Sequence, residues 1–462
     1  MRIGNSPLGK NNRPGGNTGY WQKGSFKDKI TPTLSKTNRY RISIVSTLSD
    51  RLRSLGVKVG AKDISPPPKR ENFPIERVLP GSFIETDLGQ TYVVEEEYPT
   101  NYPYGKGALL PASPIIALEK WAKEPGLCNL EAGAIAYLDT ETSGLAGGTG
   151  TFAFLVGAGR FEDDHFHLAQ FFMRDPSEEG ALLLALEKFL APCRALVSFN
   201  GKAFDAPLLN TRYTLAGWRS PLSSMQHVDL LPLARRLWRD RLPSRTLGNL
   251  EVQILEMKRT EEEVPGWMIP QMYFNYLRSG DAREMRRVFY HNALDVLSLA
   301  ALFSHITGLL ADPLHCPETH RVDRAAMGRL FEDLGEDELA AQLYETSLQD
   351  PGDFLSNALY WETLQRLSFL HKRQGNYPQA MHLWEEAARN DQLYAHVELA
   401  KVFEHILHDY HQALRWTQQA IQTIRRAGLP IYEKALWKSE LEHRQERLMR
   451  KIANGDSSLS SD

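Results

Sequence analysis

The chain has 462 residues, a hydrophobic fraction of 42% and a formal net charge of −3, which is typical of a soluble globular protein with two or three folding units. Its three widely spaced cysteines exclude a disulfide framework and a cysteine-based zinc site. Uninterrupted apolar stretches are shorter than the roughly 18 residues of a membrane span, and the N-terminus lacks the apolar core of a signal peptide. We therefore expect a cytoplasmic protein with no membrane partner.

The N-terminal segment carries most of the charge asymmetry. The first 70 residues contain 15 Lys and Arg but three acidic residues. The segment is rich in Gly, Asn, Ser and Thr and ends near Pro66-Pro67-Pro68, so it buries too little apolar surface to fold alone. We predict a basic, largely disordered arm at residues 1–72, which either binds nucleic-acid phosphates or is a solvated tail without a specific partner.

A β-hairpin is predicted after the arm. Ser82 to Thr86 and Gln90 to Glu95 flank the turn sequence Asp87-Leu88-Gly89. A proline-rich connector then leads to a short helix predicted around residues 115–122. We assign the hairpin and connector to residues 73–125 and find no candidate chemistry in them.

An α/β pattern characterises residues 126–312. Strands are predicted at residues 134–138, 152–158 and 165–172, followed by a helix that Asp175 caps and a fourth strand at 195–199. Three strands, a helix and a further strand predict a mixed sheet with flanking helices.

Two acids, Asp139 and Glu141, follow the first predicted strand of this region. Because side chains alternate along a strand, residues two apart project from the same face. Paired carboxylates on one strand suit a hard divalent cation such as Mg²⁺ or Mn²⁺. For an isolated Asp-x-Glu, a solvated strand end is the more common explanation.

A second group of polar residues follows the strand at 195–199. Ligands bind at the carboxyl ends of strands in open α/β sheets, and Asn200 and Asp205 lie at such an end. Asp205 is a candidate third metal ligand, with helix capping as the alternative. Asn200 and Lys202 are candidate contacts to nucleic acid.

The third group lies in a long helix predicted over residues 281–309. His291 and Asp295 are four residues apart and therefore share one helix face. In this position Asp295 would be a further metal ligand, while His291 would orient or deprotonate a water molecule. An exposed His–Asp ion pair is the alternative.

These three motifs together resemble those of the DEDD superfamily of 3′–5′ exonucleases. The segments Gly144 to Thr151 and Tyr290 to Val296 are more specifically similar to the YprB-like ribonuclease H-like proteins. The resemblance spans about residues 131 to 310 and implies a ribonuclease H-like fold. It also implies a site that holds two divalent cations, Mg²⁺ or Mn²⁺, through Asp139, Glu141, Asp205 and Asp295.

One position departs from the superfamily pattern. Members usually carry Tyr four residues, or His five residues, before the last Asp, whereas this chain has His291 at minus four and Tyr290 at minus five. Five residues turn a helix about 140° away from Asp295, so helix geometry favours His291. The exchange leaves the competence for hydrolysis as an open question.

Two further segments lie within this region. The glycine-rich loop Gly144 to Thr151 lacks the Gly-Lys-Ser/Thr ending of a nucleotide-triphosphate loop, so we interpret it as a hairpin turn or a close approach to substrate. Asp229, interpreted as a helix cap with an accessory acid as the alternative, precedes an arginine-rich helix. Its Arg235 and Arg239 are candidate contacts to phosphates, with a solvated helix face as the alternative.

Residues 320–452 are predicted to form helices only, with an approximate repeat. Small residues recur at Ala340, Ala380 and Ala413, and Tyr344, Trp384 and Thr417 follow each of them by four positions. A period near 34 with paired helices resembles tetratricopeptide repeats, which present a groove to a protein partner. An irregular helical bundle is the alternative.

The sequence therefore predicts an α/β domain followed by an all-α helical-repeat domain. The function that it favours is a metal-dependent nuclease, most specifically a 3′–5′ exonuclease acting on single-stranded or frayed nucleic acid. The alternative is a non-catalytic nucleic-acid-binding adaptor that recruits a protein through its repeats.

Overall fold

The computed structural model describes residues 73–459 except 112–114, 145–149, 260–262, 317–319, 350–355, 427 and 429. The predicted basic arm and most of the glycine-rich loop lie outside the described residues.

The α/β region is built on a seven-stranded sheet. The strands in chain order are β1 (Ser82–Thr86), β2 (Gly89–Pro99), β3 (Pro103–Tyr104), β4 (Gly107–Ala108), β5 (Ile135–Thr142), β6 (Ala153–Glu162), β7 (His165–Phe172), β8 (Ala195–Ser198) and β9 (Gln226–Asp229). Of these, β3 and β4 form a separate two-stranded hairpin. Their order across the sheet is β1-β2-β7-β6-β5-β8-β9.

The sheet is mixed, as predicted. Pairing is antiparallel from β1 through β5, whereas β5 pairs in parallel with β8, and β8 in parallel with β9. The predicted hairpin, β1 and β2, forms one edge of this same sheet because β2 pairs with β7 along its length. The change from antiparallel to parallel pairing at β5 brings the carboxyl ends of β5 and β8 to one edge of the sheet.

Eight α-helices of the described chain belong to this region: α1 (Ile75–Val78), α2 (Ile116–Ala122), α3 (Glu179–Leu190), α4 (Asp205–Ala216), α5 (Leu230–Trp238), α6 (Leu247–Gln253), α7 (Ile269–Ser279) and α8 (Met285–Ala311). The sheet carries a hydrophobic core on each face: Tyr137 of β5 lies in one core and its neighbour Leu138 in the other. This division follows from the alternation of side chains along a strand.

Helix α8 packs across β5 and β6 and is the longest helix of the α/β region. By length and composition it is able to cross a membrane, with a mean hydropathy of 1.7 over an 18-residue window. The polar residues within the helix interrupt its apolar runs, so no single run reaches the length of a membrane span. However, 78% of that window is buried inside the protein. Its apolar character is therefore explained by its place in the core.

The C-terminal helices pack in sequence order. They are α9 (Arg321–Asp333), α10 (Asp337–Gln349), α11 (Asn357–Arg373), α12 (Tyr377–Arg389), α13 (Leu393–His405), α14 (Tyr410–Arg426) and α15 (Ile431–Leu459). The six residues that define the predicted repeat are all completely buried. Gly335, Gly375 and His408 adopt positive φ values of 79°, 75° and 54° at equivalent turns. These features confirm a helical-repeat domain, while the tetratricopeptide class stays a prediction.

Part of the arginine-rich helix faces protein. Arg236 of α5 pairs with Asp333 and donates to the carbonyl of Arg329, so it joins α5 to α9. Arg241, just beyond α5, pairs with Asp323 at 2.9 Å. These two arginines therefore contact protein, which a charge count does not show because it does not indicate which side of a helix is covered.

Candidate active site

Asp139 and Glu141 lie within β5, whose strand extends four residues beyond the predicted end at Leu138. They continue the face that carries Ile135 and Tyr137, against which α8 packs. Consequently both carboxylates point toward α8, as their two-residue spacing predicted.

A close approach between β6 and α8 holds Asp139 in place. Gly157 is the β6 partner of Asp139, and a Cβ atom at Gly157 would lie only 2.2 Å from Oδ1 of Asn292. Because glycine leaves this space open, the buried Asn292 amide donates a hydrogen bond of 3.0 Å to Oδ2 of Asp139. Gln170 in turn donates to Oδ1 of Asn292 at 3.0 Å.

Asp205 reaches the same place from the neighbouring strand. It is the first residue of α4, which follows β8. The alternative role as a side-chain helix cap is not seen, since the capping position is Phe204 and carries no side-chain hydrogen bond. Instead, the carboxylate of Asp205 accepts a hydrogen bond from the Thr140 hydroxyl, which lies between the two acids of β5.

His291 and Asp295 project together from α8. Nε2 of His291 lies 3.5 Å from Oδ2 of Asp295 and 3.8 Å from Oε1 of Glu141. Tyr290 points into a separate cavity that Tyr98 and Tyr102 also line. The structure therefore places His291, and not Tyr290, beside the carboxylates, as the helix geometry predicted.

The proximity of these acids changes their proton affinities. Burial, followed by the charges of Asp295 and Asp205, raises the pKa of Asp139 well above its usual value. Burial and the charge of Asp139 do the same to the pKa of Glu141. The pKa of Asp205 is raised to about 6, chiefly by burial, against the hydrogen bond from Thr140. Ionisation of each carboxylate is therefore less favourable than in water, and a nearby cation would favour it.

Three charged residues at the site were missed by the sequence analysis. Arg259 donates through Nε and Nη2 to Glu251 at 2.5 Å each, through Nη1 to Glu263 at 2.5 Å, and through Nη2 to Asp295. Burial raises the pKa of Asp295, while His291 and Arg259 oppose that rise. Glu251 lies in α6, and Arg259 and Glu263 lie in the connector between α6 and α7, which matches none of the three motifs. Only its charged composition signalled a possible role.

The oxygen donors have the chemistry that hard divalent cations prefer, and their mutual repulsion is what such a charge relieves. Within the described part of the chain, however, no three of the His, Cys, Asp and Glu side chains are arranged as a metal site. Asn292, Thr140 and Arg259 occupy one oxygen each of Asp139, Asp205 and Asp295. The oxygen donors thus fit a divalent cation in their chemistry, while the side chains of the described residues are not arranged as a metal site.

The residues predicted to contact nucleic acid follow β8 and β9 along the chain. Asn200 adopts a positive φ of 67°, and its amide donates to Asp229 at 2.7 Å. The side chain of Lys202 is 46% exposed and lies 3.6 Å from Glu124. Arg235 is exposed on α5, and Arg239 is exposed just after this helix and contacts Asp240. Asp229 also caps α5 through the amide of Leu231, which confirms its predicted structural role.

Comparisons with known proteins agree with this geometry. The RNase_H superfamily model matches residues 136–307, which contain all five candidate catalytic residues. The uncharacterised protein YprB of Bacillus subtilis (strain 168) is 32% identical over 339 residues, covering 71% of this chain and 79% of the relative. The chain belongs to the YprB family. Its α/β region is a ribonuclease H-like domain of nuclease type, and such domains generally use divalent metal ions.

A solved structure, the family B DNA polymerase of Pyrobaculum calidifontis, matches with 15% identity and a TM-score of 0.30. The match covers 46% of this chain and 29% of the polymerase chain. A TM-score this low does not establish a shared fold.

Proposed function

We propose that this YprB-family chain is a metal-dependent 3′–5′ exonuclease that hydrolyses phosphodiester bonds of single-stranded or frayed nucleic acid. The observation that carries the proposal is the convergence of four carboxylates from three distant segments. β5 contributes Asp139 and Glu141. The first residue of α4 is Asp205, and the middle of α8 contributes Asp295. Burial is the main cause of their raised pKa values, and the charges of neighbouring carboxylates add to it at Asp139 and Glu141.

Under this proposal the four carboxylates hold two divalent cations, Mg²⁺ or Mn²⁺. When bound, such a pair activates a water molecule and stabilises the leaving oxygen in phosphodiester hydrolysis. The chain's own contributions are to fix the acids and to place a base. Asn292 and Thr140 hold Asp139 and Asp205. Nε2 of His291 faces Glu141 and Asp295, where it orients a water or accepts its proton.

The surroundings are suited to a nucleic-acid strand. Lys202 lies three residues before Asp205, with its side chain partly exposed. We propose that it contacts a phosphate close to the scissile bond, and that the exposed Arg235 and Arg239 contact phosphates farther along the strand. Phosphate contacts carry little sequence information, so this arrangement favours an enzyme without strong sequence preference.

The test uses purified full-length chain with 5′-labelled and 3′-labelled single strands of DNA and RNA, in Mn²⁺, Mg²⁺ or EDTA. We expect progressive shortening of the 5′-labelled strands with either metal and none with EDTA. Asp139→Asn should lower the rate at least about 100-fold, because a neutral amide is a poor metal ligand. No metal-dependent loss of substrate, or equal loss with Asp139→Asn, would refute the proposal.

Asp163→Asn is the matched control. It makes the same chemical change at an exposed turn between β6 and β7, where Asp163 has a φ of 51°. Asn tolerates this left-handed conformation as Asp does, so the control should keep the activity of the unmodified chain.

A further inference from the structure

His291 contacts a second group on the side of its ring that faces away from the carboxylates. Its Nδ1 atom lies 2.8 Å from Oε1 of Glu263, while Nε2 faces Glu141 and Asp295. The imidazole therefore spans the gap between the candidate metal ligands and Glu263, a residue from the connector between α6 and α7.

The contact with Glu263 selects one tautomer of the ring. A carboxylate accepts hydrogen bonds, so the proton of a neutral His291 belongs on Nδ1, and Nε2 is left with a free lone pair toward the site. Nη1 of Arg259 also lies near Nδ1, at 3.3 Å, but this atom is a donor and donates to Oε1 of Glu263 at 2.5 Å. The shorter distance from Nδ1 to Glu263 favours the pairing of His291 with the carboxylate.

Glu263 is itself fixed by a buried chain of contacts. Arg259, which holds Glu263, is clamped by Glu251, whose side chain is only 1% exposed. Glu251 accepts a further hydrogen bond of 2.5 Å from Ser298 of α8, and Ser298 contacts the buried Tyr104 hydroxyl at 2.7 Å. A base whose second nitrogen is held by an anchored carboxylate keeps its orientation during reaction.

We propose that Glu263 is a positioning residue for His291: it holds Nδ1–H and so presents an unprotonated Nε2 to the water-binding side of the carboxylate site. This inference rests on the proposed function for the catalytic meaning of His291, but the contact itself is testable without activity. Glu251 holds Arg259, which keeps Glu263 in place and also donates to Asp295, one of the candidate metal ligands.

The direct test is the tautomer of His291 in metal-free protein, read from ¹⁵N and ¹H shifts of ¹⁵N-histidine-labelled full-length chain. The His291 signals are assigned by their loss in His291→Gln. We expect the Nδ1–H tautomer in the unmodified chain and in Glu263→Gln, whose amide oxygen still accepts a hydrogen bond. Glu263→Ala should shift the population toward Nε2–H. An Nε2–H tautomer in the unmodified chain, or no change with Glu263→Ala, overturns the proposal.

The second test is kinetic. Glu263→Ala should lower kcat roughly 10- to 100-fold and leave KM within about twofold, because the ring loses its orientation while substrate contacts remain. Glu263→Gln should recover most of this loss. Equal losses in the Gln and Ala variants, or an unchanged kcat in Glu263→Ala, contradict a role through the hydrogen bond. The side chain of Glu263 is 29% exposed, so both variants are expected to fold.

Glu284→Ala is the matched control, since Glu284 is an exposed acid just before α8 and away from His291. It should retain both the tautomer and the kcat of the unmodified chain. If the unmodified chain shows no metal-dependent hydrolysis, the proposed function fails while the tautomer measurement still decides the role of Glu263. If hydrolysis is present and the tautomer of His291 is unchanged in Glu263→Ala, only the positioning role fails.

Discussion

The pKa values of buried acids are shifted in opposite directions in the two domains. Glu404, at the end of α13, has a side chain that is 0% exposed and is surrounded by Arg444, Arg447 and Lys451 of α15. Burial works to raise its pKa, but the hydrogen bonds from Arg447 and Lys451 and the charge of Arg444 prevail and bring it to about 2. At the carboxylate site of the α/β domain, by contrast, the pKa of Asp139 is raised well above its usual value.

The difference separates an acid whose charge is balanced within the chain from the acids of the candidate site. The repeat domain supplies more cations than Glu404 needs, so the pair between α13 and α15 is complete within the chain. At the carboxylate site one guanidinium, that of Arg259, is shared among Glu251, Glu263 and Asp295. An excess of carboxylates costs stability, and it persists where a ligand from outside the chain supplies the missing positive charge.

The largest expected effect on stability comes from disrupting the balanced cluster around Glu404. Glu404→Gln removes the buried charge that pairs with the partly exposed Arg444, Arg447 and Lys451, and should lower the free energy of unfolding by about 1.5 to 3 kcal/mol. Urea unfolding followed by circular dichroism measures it. The control is Glu442→Gln. Glu442 is a half-exposed acid on α15 and pairs with Lys438 at 3.7 Å, so we expect its substitution to change the free energy of unfolding by less than about 0.5 kcal/mol. Equal effects of the two variants would show that the Glu404 cluster contributes no more than a surface pair.

A smaller effect of opposite sign is expected at the carboxylate site. In EDTA, Asp139→Asn should raise the free energy of unfolding by roughly 1 to 2 kcal/mol, because it removes one charge from a mutually repelling group. The amide also keeps an oxygen to accept the hydrogen bond from Asn292. Thermal unfolding of the metal-free variant beside Asp163→Asn checks the prediction. A lower stability than that of the unmodified chain would mean that the site is already balanced without a metal ion.

The pH dependence of metal-free stability should show the smallest effect. The folded-state pKa of Asp205 is about 6, above the ordinary 3.8, so its contribution is fully present below about pH 3.8 and is lost as the pH rises through about 6. Asp205→Asn removes this titration. Its stability relative to the unmodified chain should therefore be about 1 kcal/mol greater at pH 7 than at pH 5, in thermal unfolding with EDTA. A difference that does not vary with pH would contradict the raised pKa.

The motifs located the core of the candidate site because their spacing is tied to local geometry. A two-residue spacing on β5 and a four-residue spacing on α8 each fix a shared face, whatever the rest of the chain does. The repeat was visible for the same reason, since Gly335 and Gly375 recur where the helices turn.

The remaining features depend on contacts between distant segments. Glu263 lies next to His291 only because the connector after α6 folds back onto α8, and no local pattern encodes that approach. Likewise, nothing in the composition of α5 shows that Arg236 is covered by α9 while Arg235 is exposed.

The sequence by itself determined the fold class, the repeat phase and which side chains share a face, because these follow from the periods of strands and helices. The tertiary structure decided how the charges are balanced. Whether a buried acid is neutralised, as Glu404 is, or left with a raised pKa, as Asp139 is, depends on which side chains from remote segments lie within hydrogen-bonding distance. Electrostatic interactions are set by distance and burial in space, and neither can be read from positions along the chain.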